Sequence, residues 1–83
     1  MRIIGSDGVL LTTGSATLEP DPDVGSWRGS VQTLKGTAVA GKALVVELET
    51  LEGRRGRAQL IPDGEVGENA VSMATGLGGG WPF

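Results

Sequence analysis

Between Leu44 and Leu60 the chain alternates apolar and polar side chains on both arms of a short glycine-bearing loop, and this alternation restricts the fold more than any other feature. Leu44, Val46 and Leu48 alternate with Glu47 and Glu49, and on the return Ala58 and Leu60 alternate with Arg55, Arg57 and Gln59. Successive side chains on a strand point to opposite faces, so the pattern is that of a half-buried antiparallel hairpin. Residues directly opposite each other must share a face, and that requirement selects the register. A two-residue loop at Glu52-Gly53 sets Leu48 against Arg57 and Glu47 against Ala58, mixing core with solvent. A three-residue loop, Leu51-Glu52-Gly53, puts Gly53 at the left-handed position such loops require. It also pairs Val46 with Ala58, Leu44 with Leu60, Glu49 with Arg55 and Glu47 with Arg57. The second register satisfies turn chemistry, burial and charge together.

Period two governs the rest of the chain, and no helical stripe of useful length is present. Ile3-Ile4 reads as a short strand stopped by Gly5-Ser6-Asp7-Gly8. Val9 to Thr13 and Ser15 to Glu19 read as one strand bent at Gly14. Pro20-Asp21-Pro22-Asp23 is expected to end that ladder, because proline lacks the N–H. Ser26 to Leu34 carries Trp27, Gly29, Val31 and Thr33 on one face, with Trp27 expected to point to the core. Thr37 to Ala40 reads as a loop or short edge strand. Pro62-Asp63-Gly64 reads as a turn, and Asn69 to Thr75 as a last strand with Val71 and Met73 on one face.

With 15 Gly and 4 Pro in 83 residues, turns and short strands are favoured over helices. The expected fold is all-β, a small antiparallel barrel of five to six strands with little or no helix. SH3-like and OB-like barrels fit the length by architectural analogy. Residues 1–75 are expected to form the barrel, and residues 76–83 a glycine-rich C-terminal tail ending in Trp81-Pro82-Phe83.

Composition excludes much chemistry. The chain has no Cys and no His, so disulfides, thiolate metal sites, Cys nucleophiles and imidazole bases are absent. No catalytic residue, cofactor site or metal site is expected. A net charge of −3 weighs against a nucleic-acid partner, and no apolar run approaches the length of a membrane span. Without a signal-peptide pattern the expected location is cytoplasmic.

Four constellations invite a functional reading. Gly36 to Ala43 nearly matches a phosphate-binding loop, but Ala43 stands where a magnesium-binding hydroxyl is needed and a strand follows where a helix should. Glu19, Asp21 and Asp23 fail the spacing of a calcium loop and read as a solvated acidic turn. Arg54, Arg55 and Arg57, with Lys42 and Lys35 nearby in composition, are the candidate anion-binding set. The hairpin register supplies Arg55 and Arg57 with Glu49 and Glu47, which makes an exposed ion-pair ladder the stronger reading. Trp81 and Phe83 are the candidate partner-binding residues, able either to cap one end of their own domain or to dock on a partner or second copy. The expected function is therefore a non-catalytic small β-barrel module for interaction or assembly, meeting a protein partner or a second copy through the C-terminal tail or its strand edges. The alternative is a module for single-stranded nucleic acid or a phosphorylated small ligand through the arginines.

Overall fold

In the computed structural model, which describes residues 1–83, the hairpin between Leu44 and Leu60 has the register that parity selects. Leu44 faces Leu60, Val46 faces Ala58, Glu47 faces Arg57 and Glu49 faces Arg55. The Thr50 amide donates to the Arg54 carbonyl at 2.9 Å and the Gly53 amide to the Thr50 carbonyl at 3.0 Å, closing the three-residue loop. Gly53 sits at φ 87°, where a side chain would be strained.

There are seven strands and no helix: β1 (Arg2–Gly5), β2 (Leu10–Thr13), β3 (Ser15–Asp21), β4 (Ser26–Leu34), β5 (Leu44–Glu49), β6 (Arg55–Val66) and β7 (Asn69–Gly76). They form one antiparallel sheet in the order β2-β1-β5-β6-β7-β4-β3. No ladder joins β2 to β3, so the sheet is open at that point and the expected barrel becomes an open seven-stranded sheet. Those two edge strands are consecutive in the chain. Gly14 alone separates them, and there the chain changes partner from β1 to β4. Met1 and Gly14 exchange two hydrogen bonds of 2.9 Å: the Gly14 amide donates to the Met1 carbonyl and the Met1 ammonium to the Gly14 carbonyl.

The sheet is curled, because β2 and β3 stand at opposite ends of the strand order yet are joined through one residue, and its buried side chains form one cluster. Ile3 of β1, Trp27 and Val31 of β4, Val46 and Leu48 of β5, and Ala58 and Leu60 of β6 all belong to it. A flat seven-stranded sheet would hold its edge strands roughly 29 Å apart at about 4.8 Å per neighbour, too far for Gly14 to connect. At the far end from Trp27, the turn between β4 and β5 adds Val39, almost fully buried, so Thr37 to Ala40 is the loop rather than the edge strand of the two expectations, and it also fills the core.

Two turn expectations are corrected. The β3 ladder continues through Pro20, opposite Trp27, to Asp21, opposite Ser26. As an edge strand, β3 tolerates a residue without an N–H. Pro62-Asp63-Gly64 likewise lies inside β6, at an irregularity between Pro62 and Glu65. β5 has no partner residue beyond Leu60, so this stretch of β6 is itself a free edge. The small residues of β7 have a simple cause: Ala70, Ser72 and Ala74 face the core while Val71 and Met73 face out.

Candidate partner-binding site

The site begins with the parity of β4, which turns Trp27 inward at the second position after the β3–β4 turn. The indole lies across Gly76, where a methyl group would overlap its ring atoms. It also lies against Gly56, where a methyl would come 2.9 Å from Trp27 Cζ2. Two bare strand positions thus make room for one of the protein's two tryptophans, which is only 2% exposed.

Residues beyond Gly76 double back over this end of the sheet. The Leu77 amide donates to the Arg57 carbonyl and the Gly80 amide to the Gly25 carbonyl, each at 2.9 Å. Arg54 Nη1 donates to the Phe83 carbonyl at 3.2 Å. The segment therefore spans from the β3–β4 turn to the β5–β6 turn. Phe83 meets Trp27 edge-to-face, with ring centroids 5.0 Å apart at 78°, and Trp81 meets Phe83 at 5.3 Å and 82°. A methyl on Gly56 would lie 2.6 Å from Pro82 Cγ and 3.0 Å from Phe83 Cζ, so the glycine is also the floor under Pro82 and Phe83. Phe83 is half-buried and joins the core, whereas Trp81 keeps 44% of its surface in water. Of the two arrangements open to the aromatic residues, capping their own domain is the one observed.

The arginines do not assemble into one site. Arg55 Nε donates to Glu49 at 2.6 Å and its Nη1 to Glu47 at 3.3 Å, while Arg2 Nη1 reaches Glu49 at 3.2 Å. Glu49 is thereby gripped from the strands on both sides. The Arg55 hydrogen bond, opposed by desolvation and reinforced by Arg2, holds its carboxyl below the ordinary range. The same contact raises the Arg55 guanidinium. Glu47 goes to Arg55 rather than to Arg57 directly opposite, which corrects the expected ladder; a long side chain reaches its diagonal neighbour across a strand pair. Arg57 has no carboxylate partner, and Arg54 is turned onto Phe83. Lys35 approaches Glu65 at 3.7 Å. Lys42 lies just before β5, so the six residues of that strand, roughly 20 Å at about 3.3 Å each, separate it from the Arg54 end.

Glu19 and Asp21 turn to Arg28, at 3.8 and 3.7 Å. They border the largest surface concavity, about 1050 Å³ on the outer face of β3, β4 and β7. Gly36 and Gly41 bracket turns at positive φ, and strand β5 follows, so no helix N-terminus stands behind the near-match to a phosphate loop.

Fold and site together define an all-β domain whose aromatic end is bridged by its own last residues. No family model, curated protein or solved structure matches the chain. No helix is long and apolar enough to cross a membrane.

Sequence reasoning missed the glycine floor beneath Trp27. The signal was available: Gly56 and Gly76 both fall on the inward parity of their strands, where an empty position implies that something large occupies it.

Proposed function

We propose that this domain is a non-catalytic interaction or assembly module, a barrel-like curled sheet that presents its aromatic end to a protein partner. The observation that carries the reading is the exposure of Trp81. Its indole is braced by Phe83 yet open to water, and Val24 and Leu77 stand exposed in the turn and segment that bracket it. Rigid aromatic surface offered at one place is characteristic of interface anchors. Trp81 is the residue proposed to touch the partner, with Phe83 holding it in place.

The test is site-specific photo-crosslinking in cells. A photoreactive amino acid at position 81 should give a discrete protein adduct, while the same group at the exposed Glu68 position, in the β6–β7 turn, should not. Equal or absent adducts at both positions would remove the reading.

One observation favours the alternative, an anion-binding module. Arg57 is unpaired beside a recess of about 300 Å³ whose lining includes Gly79 and Gly80. Against it, Arg54 and Arg55 are already engaged. Oligonucleotide binding at low salt that weakens steeply with added salt, and is abolished by Arg57→Ala, would establish it.

A further inference from the structure

We infer that the groove formed by Trp27, Gly56 and Arg54 recognises the Trp81-Pro82-Phe83 segment as a ligand, so that two copies of this chain can exchange these segments. The inference rests on the interaction reading of the same end of the sheet and names its partner: a second copy.

Three observations lead there. The groove is built for this occupant. Its floor is a strand glycine whose missing side chain leaves the space that Pro82 and Phe83 fill. Its wall is the Trp27 ring edge-to-face with Phe83, and Arg54 holds the Phe83 carbonyl. The occupant is also hinged. It is reached through Gly78-Gly79-Gly80, with φ of 95° and 80° at the outer two, where no side chain is buried. Finally, the approach is held by only two backbone hydrogen bonds, from Leu77 and Gly80.

Contacts of this kind do not depend on which copy supplies the segment. The closed monomer and the exchanged dimer differ in the hinge and in concentration. A short flexible linker supplies its ligand at an effective concentration on the order of millimolar. The intact chain is therefore closed when dilute, and anything that strains the turn at Gly78–Gly80 lowers the threshold for exchange.

The test uses the full-length chain carrying Trp81→Ala and Phe83→Ala, which leaves the groove without its own aromatic occupants. The probe is the peptide Leu-Gly-Gly-Gly-Trp-Pro-Phe, followed by amide and indole shifts in the labelled protein. Shifts are expected at Trp27, Arg54, Gly56 and Gly76, with an affinity about tenfold or more above that of the wild-type chain, whose groove is occupied in cis. An intact sheet that shows no shifts at millimolar peptide, or equal binding by wild type and variant, overturns the inference. Should the double variant fail to fold, Gly78→Ala with Gly80→Ala decides instead. It keeps every contacting side chain and strains only the closed turn, so its dimer fraction in sedimentation should rise about tenfold over wild type. An unchanged monomer overturns the inference equally. Crosslinking at position 81 alongside failure of these tests would leave the interaction module standing and remove only the exchange.

Discussion

Phe83→Ala separates a segment that is part of the fold from one that merely rests on it. Fully burying a phenylalanine contributes about 1.5–3 kcal/mol, and the half-buried ring of Phe83 realises most but not all of that. The edge-to-face contact with Trp27 adds about 0.5–1.5 kcal/mol beyond area. The Arg54 bond to the residue 83 carbonyl survives the substitution, because it engages backbone. The expected loss is therefore about 2–3 kcal/mol, which for a domain of this size lowers the melting temperature by roughly 10–20 °C. Urea unfolding followed by far-ultraviolet circular dichroism measures it directly, with the slope unchanged. Trp81→Ala is the internal comparison. Trp81 touches Phe83 but leaves nearly half its surface in water, so about 1 kcal/mol or less is expected. A Phe83→Ala variant within about 0.5 kcal/mol of wild type, the range of ordinary surface substitutions, would refute the packing argument. So would a Trp81→Ala variant that is just as destabilised.

Gly76→Ala forces a methyl into the Trp27 ring and should cost about 1–3 kcal/mol in urea unfolding. Gly79→Ala meets open space without a positive φ and should be neutral or stabilising by up to about 1 kcal/mol; the same midpoints check both. Glu49 gives the pH dependence. Its folded carboxyl titrates below the ordinary value of 4.5, so its contribution is complete above that pH and is lost as pH falls through the depressed folded value. Glu49→Gln should flatten the acid limb of the stability profile below pH 4.5, and parallel limbs in wild type and variant would contradict the Arg2–Glu49–Arg55 account.

Strand parity carried most of what was legible in the sequence. From Leu44 to Leu60, one requirement, that facing residues share a side, set every pair correctly, because a single-residue slip would have put Arg57 against Leu48. Parity also turned Trp27 and Val31 inward. It says nothing about which strands are neighbours, so the pairing of β4 with β7 and the change of partner at Gly14 were out of reach. The proline errors share a cause. A missing N–H is expected to end the ladder at Pro20, and Pro62-Asp63-Gly64 has the composition of a turn, but each proline lies where one side of its strand is free. Val39 was hidden for the opposite reason, since a single apolar residue among turn residues has no periodicity to reveal its burial. At the candidate site the sequence pointed to Trp81 and Phe83, and it could not choose between their own sheet and another chain.

The use to which the glycines are put shows what this end of the sheet requires of the segment. Nine of them sit at positive φ with no heavy atom within 4 Å of an added methyl; eight lie in turns or loops, and Gly64 sits at the irregularity within β6. Gly14, Gly29, Gly56 and Gly76 are different: their backbones are ordinary, and a methyl on any of them would collide with a neighbour. Gly14 and Gly29 admit the backbones of β4 and β3, which lets the sheet curl tightly at the edge. Gly56 and Gly76 admit Trp27, and Gly56 admits Pro82 and Phe83 as well. A strand gives up side-chain packing at such positions, so the loss must be recovered by whatever fills the gap. For Gly76 the filling is Trp27 alone. For Gly56 it includes a segment hinged on glycines, and the floor of the groove is complete whether that segment belongs to the same chain or to its neighbour.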